Sequence, residues 1–302
     1  MFPLYDANPT KNFPIVTVLI IAFTFFVWLV VQGTGQEEAL YNSLCQYASA
    51  NHTYYDNAGF PDDDCFQQNI GYPSLVTSIF IHGDWFHLIF NLWYLWIFGN
   101  NIEDAFGRLT FLFFYLLTGV LTEVCSIIFY GNEVMLSFGA SGSIAAVLGA
   151  YLVIFRNAKV LVFLPFVFKF STHKKQKAKP RGALDWIFFM PSIYLIIIYV
   201  LIDLSSFIEG FLADISDGIN TIAHLSGYMM GAAVAFVALK AGALEHVKPS
   251  IQAQNKNKAV DPEINPYIYR IIDGFQIVYS WVFVLIPLLL IIVIAGLLLF
   301  HD

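Results

Sequence analysis

Long apolar runs alternate with polar stretches along this chain, and the apolar runs set its architecture. A helix needs roughly 20 mostly apolar residues to cross a bilayer. Runs of about that kind fall at residues 13–31, 85–98, 109–130, 140–155, 184–202, 221–239 and 277–300. A further apolar stretch at 160–168 is short and contains Pro165, and it reads as interfacial or as an extension of the fourth span. Residues 32–72 form a polar loop rich in Asn, Asp and Gly, too long for a mere connection. The pattern predicts an all-α, polytopic membrane protein, a bundle of seven transmembrane helices forming one membrane-embedded domain over residues 1–302.

Composition agrees. Of the 302 residues 58% are hydrophobic and only 12% charged, where a soluble domain has about a quarter charged. The net charge of −7 says little about partners, because the charges are segregated, and nothing points to nucleic acid. All 15 Lys and Arg residues lie before the first span or in alternate loops after it, clustered at 156–181 and 240–270. The loops 32–72, 131–139 and 203–220 hold none. Positive charge concentrates on the cytoplasmic side, so the amino terminus is expected in the cytoplasm and the carboxyl terminus outside, with a cell membrane (plasma or inner) as the expected location. Cys45 and Cys65 then share the first outer loop, where an oxidising milieu favours a disulfide. Cys125 lies in a span and reads as packing.

Three spans carry polar residues near their outer ends. His82, His87 and Asn91 lie at the start of the second, Ser141 at the start of the fourth, and His224 at the start of the sixth. Ionisable residues inside a bilayer are costly and point to function. Gly142, Ala146 and Gly149 form a small-residue face on the fourth span, and Gly227 and Gly231 form one on the sixth, on the same side as His224. Small faces let membrane helices approach closely, which would bring Ser141 within reach of His224. A neutral imidazole can then take the hydroxyl proton, the activation a serine nucleophile needs. No carboxylate lies at matching depth on these spans, so the expected arrangement is a dyad. His87 and Asn91, four apart on one helix face, together with the Ser141 N–H, suit the oxyanion of a tetrahedral intermediate.

Taken together, Gly139-Ala140-Ser141-Gly142, Ala223-His224 with Gly227 and Gly231, His87 through Asn91 preceded by His82, and Gly99 through Glu103 make the chain resemble the rhomboid intramembrane serine proteases. The resemblance covers about 77–239, with residues 277–300 as an additional helix after a six-helix core. It implies Ser141 as nucleophile, His224 as base, His87 and Asn91 in the oxyanion hole, and His82 and Glu103 as structural hydrogen-bonding positions. It also implies single-pass transmembrane substrates cut near the outer face, with small residues before the cut, and no cofactor or metal. Pro73-Ser74 stands where some members have a Trp-Arg pair. Ala145 stands where some have a tyrosine that stacks on the histidine, and Tyr228 is another ring for that task. The alternative is a rhomboid-like protein that binds or chaperones membrane proteins without cutting them. Such relatives typically lack the serine or the histidine.

Overall fold

The computed structural model describes residues 1–8, 10–50, 72–130, 136–164, 187–213 and 220–247. Cys65, most of the basic stretch 156–181 and the expected span at 277–300 lie outside the described residues. Cys45 is disulfide-bonded and Cys125 is free.

Helices dominate, as the apolar runs predict. In chain order they are α1 (Ile15–Val30), α2 (Glu37–Tyr47), α3 (Ser74–Thr77), α4 (Trp85–Tyr94), α5 (Asn100–Phe106), α6 (Arg108–Tyr130), α7 (Ser141–Ile154), α8 (Ser192–Ala213) and α9 (Thr221–Lys240). A π-helical turn, Leu95–Gly99, joins α4 to α5 without a break. Of these, α6, α8 and α9 are long and apolar enough to cross a membrane, and α1 and α7 are shorter apolar helices. On α6 the side chains of Leu109, Phe113, Leu117 and Leu121 recur every four residues and are all exposed. An apolar stripe of that kind is at home in lipid.

The core is built around α7. Every residue from Gly142 to Tyr151 is buried, so the helix has no lipid face, and a helix apolar all round belongs inside the fold. It lies between α6 and α9. On the α9 side the approach is backbone to backbone. A Cβ on Gly231 would lie 2.6 Å from the carbonyl carbon of Ala146, and one on Gly227 would lie 2.5 Å from the Gly142 oxygen. On the α6 side, a Cβ on Gly142 would overlap Thr122.

Two expectations fail here. Of the stretch 160–168, read as interfacial or as an extension of the fourth span, the described residues 160–164 do not extend that span. β4 (Lys159–Phe163) pairs antiparallel with β1 (Phe2–Asp6), in a three-stranded sheet completed by β5 (Ile187–Pro191). Val160, Leu161 and Val162 are buried, so the stretch is apolar because it packs, not because it crosses lipid. The fifth helix also begins later and ends later than expected, running to Ala213. Asp203 is therefore inside α8, not in the loop that was expected to start with it.

Polar side chains tie the elements together where the sheet meets the bundle. Asp6 accepts from Asn101 Nδ2 and Tyr151 Oη, both at 2.6 Å, and from the Asn8 N–H at 2.9 Å. Burial pushes the Asp6 carboxyl from its ordinary 3.8 up to about 7, against the pull of its donors. A carboxyl raised on folding stabilises fully below its unfolded value, and that contribution is lost as pH rises through the folded one. The melting temperature of the purified protein should therefore fall between pH 5 and pH 8, and Asp6→Asn should flatten that slope. A variant with the wild-type slope would show that Asp6 does not carry it.

Glu103 has a comparable structural task. Its two oxygens accept the N–H groups of Val16 and Thr17 at 3.0 and 2.7 Å and the Thr17 hydroxyl at 2.8 Å. These N–H groups open α1 and have no partner inside the helix, and Pro14 before them offers no side-chain cap. A carboxylate from α5 caps the helix instead.

Candidate active site

Ser141 is the first residue of α7 and follows a turn that needs glycine. Gly139 has φ +113°, a conformation that side chains oppose. A Cβ there would also lie 2.7 Å from His87 Nε2 and 3.9 Å from Asn91 Nδ2. Both nitrogens thus converge on the turn that delivers the serine. The Gly139 N–H donates to the Ser78 carbonyl at 2.9 Å, fixing the turn to the segment before α4.

His224 lies in the first turn of α9. Asn220 caps that helix, its Oδ1 accepting from the Ala223 N–H and from Ser126 Oγ, both at 3.0 Å, while its Nδ2 donates to Ser137 Oγ at 2.8 Å. Ser137 in turn donates to Glu123 Oε1 at 3.0 Å. Ser137 belongs to β3 (Leu136–Ser137), which pairs with β2 (Ser49–Ala50). One hydrogen-bonded chain therefore joins the start of α9, the last third of α6 and the strand leading to Ser141.

Ser141, His224 and Asn91 face a single cavity of about 230 Å³. Among the described residues, no hydrogen bond joins Ser141 Oγ to His224. Catalytic hydrogen bonds often tighten only when substrate is bound. Asn91 is buried, and its Nδ2 has no partner among the described residues. A buried amide donor left unpaired is costly, and here it borders the cavity.

His87 stands behind the Gly139 turn rather than in the cavity wall. Its Nδ1 receives a long 3.5 Å contact from the Gly83 N–H, and its ring meets His82 edge-on with centroids 4.9 Å apart. Asp84 caps α4 by accepting the His87 N–H at 2.9 Å. His82 is fully buried. Its backbone is held by Gln32, which accepts from the His82 N–H at 3.0 Å and donates to its carbonyl at 2.7 Å.

The dyad was expected because the spans that carry the polar residues hold no carboxylate at matching depth; a carboxylate reaches the histidine from another helix, α8. Asp203 Oδ1 lies 3.3 Å from His224 Nδ1, and Asp203 Oδ2 accepts from Tyr228 Oη at 3.0 Å. Tyr228, one turn beyond His224, is thus committed to the carboxylate rather than to stacking on the imidazole. Sequence reasoning also missed Gln32, Asn220 and Glu123. Asn220 carried a signal, an amide three residues before Ala223 at the start of an apolar run, and Glu123 was a lone carboxyl inside a span.

The fold and site define a polytopic helical membrane protein in which a serine and a histidine from two closely packed helices face one cavity. A rhomboid domain model matches residues 71–241, more than half of the chain, and the chain belongs to the rhomboid family. It is 37% identical over 106 residues to a zebrafish (Danio rerio) presenilin-associated rhomboid-like protein A, mitochondrial, covering 34% of this chain and 28% of that protein. It is 31% identical over 96 residues to rhomboid protein 1, mitochondrial, of Saccharomyces cerevisiae, covering 30% and 28%. With the rhomboid protease GluP of Bacillus subtilis it shares 38% identity over 78 residues, covering 26% and 15%. The matched region is thus under a third of the length of each of these relatives.

Proposed function

We propose that this protein is an intramembrane serine endopeptidase that cuts transmembrane helices near the outer face of its membrane. The observation that carries the reading is the shared cavity, where Ser141 and His224 stand beside Asn91, whose Nδ2 has no partner among the described residues. His224 Nε2 takes the Ser141 hydroxyl proton as Oγ attacks the scissile carbonyl carbon. The developing oxyanion receives hydrogen bonds from Asn91 Nδ2 and the Ser141 N–H, with His87 close behind the turn. His224 then returns the proton to the leaving amine, and water resolves the acyl-enzyme by the same route.

The positive charges support an amino terminus in the cytoplasm or its equivalent. With that orientation the site opens toward the opposite side. The relatives named above include mitochondrial and bacterial proteins, so charge asymmetry speaks to sidedness rather than to which membrane.

A peptide bond inside a helix is a poor target, because unwinding in lipid strands backbone groups at several kcal/mol each. Substrates are therefore single-pass proteins with Gly, Pro or Ser near the outer end of the span and a small residue before the cut. The test uses such a substrate and a version whose helix-breaking residues are changed to Leu with the cut site intact. Cleavage should fall at least tenfold. Equal rates would mean that unwinding does not govern selection, and no cleavage of any single-pass protein would remove the proposed reaction.

A further inference from the structure

We infer that Asp203 is a positioning residue for His224, so that the site is a triad drawn from α7, α9 and α8. The inference rests on the protease reading and deepens it. Asp203 lies within an otherwise apolar stretch, Ile196 to Leu204, on a helix whose outer side meets lipid. A carboxylate there is costly without partners, and both of its oxygens are engaged on α9. Oδ1 is 3.3 Å from His224 Nδ1, and Oδ2 accepts from Tyr228 Oη. His224 and Asp203 are also largely shielded, with side chains 19% and 16% exposed.

The chemistry of the pair sets the direction of the hydrogen bond. A carboxylate only accepts, so Nδ1 must carry the proton, and the lone pair on Nε2 is left free to receive the proton of Ser141. The same carboxylate stabilises the imidazolium that forms as Oγ attacks, without itself taking the proton. Tyr228 completes the arrangement by holding the second oxygen, which keeps the carboxylate turned toward the ring. Because Asp203 is on α8, base and nucleophile are fully prepared only while α8 packs against α9.

The test compares wild type, Asp203→Asn and Asp203→Glu in the full chain, reading kcat and KM on a cleaved substrate. An amide can donate to Nδ1 and so favour the wrong tautomer. Asp203→Asn should lower kcat by about 100-fold or more with KM within about threefold, since loss of the aligned Asp in such triads costs up to about 10⁴. Asp203→Glu, which keeps an acceptor, should recover part of the rate. Nitrogen-15 spectra of histidine-labelled wild type should show His224 protonated at Nδ1, a readout that needs no variant. A kcat within threefold for Asp203→Asn, a loss confined to KM, or a wild-type ring protonated at Nε2 would each overturn the inference. If wild type cleaves and its serine reacts with a fluorophosphonate, such a result removes the positioning role alone. If wild type does neither, the protease reading fails and the triad goes with it.

Discussion

Ser141→Ala and His224→Ala should each reduce cleavage of a transmembrane substrate to background while the protein still inserts and folds. Both positions border the cavity rather than the packed core, so truncation removes chemistry without opening a void among tightly packed side chains. A hydroxyl without a base, or a base without a nucleophile, loses the covalent route altogether. The double variant should therefore be no worse than either single one, as for residues that act as a unit. A fluorophosphonate should label the wild type on Ser141, with no labelling of Ser141→Ala. Asn91→Ala should cost less, on the order of 10²–10³ in kcat, because the Ser141 N–H remains as an oxyanion donor. Strong cleavage by purified Ser141→Ala would remove the serine from the mechanism.

The second large effect should come from one methyl group. In Gly231→Ala the new Cβ would overlap the Ala146 carbonyl oxygen and lie 2.8 Å from the Ala146 Cα. The obstacle is main chain, which cannot rotate aside as a side chain can, so α7 and α9 must separate. Overpacking typically costs about 1–3 kcal/mol, and this site belongs at the upper end. The separation is felt two turns away, where His224 must reach Ser141, and a displacement of about 1 Å can cost about 10²-fold in rate. Gly107→Ala is the control. Gly107 has φ +81° but nothing within 4 Å of an added Cβ, so only backbone strain of about 1–3 kcal/mol is expected, with catalysis intact in the folded fraction. Thermal unfolding and kcat should be measured on both. If Gly231→Ala melts with wild type and cleaves normally, the contact between α7 and α9 is looser than described.

The sequence was most legible where physics is one-dimensional. Apolar runs marked the helices, with α1, α6, α7 and α9 starting within two residues of expectation. The small faces of α7 and α9 carried the helix pairing, because small residues let helix backbones approach closely in a membrane. Where hydrophobicity is everywhere, it ceases to discriminate. β4 is as apolar as a span and reads from sequence as interfacial or as an extension of one, and β1 was not foreseen at all. Partners across space were also hidden. Glu103 capping α1, Gln32 holding the His82 backbone and Asp203 reaching His224 each depend on how helices are placed together. For Asp203 the cause is specific, since a span taken to end at 202 left this carboxylate in a loop.

The pairing of β1 with β4 has a consequence for assembly. Phe2 lies opposite Phe163 and Asp6 opposite Val160, so this strand must wait for residues synthesised 154 to 161 positions later. At roughly 5–20 residues per second, that is on the order of ten seconds or more, during which α1, α4, α6 and α7 can already be entering the membrane. The strand is a late lock. Asp6 meets Tyr151 and Asn101, and Phe2 its partner strand, only once the fourth of these helices is in place, so docking of the sheet reports that α7, the helix that opens with Ser141, has arrived.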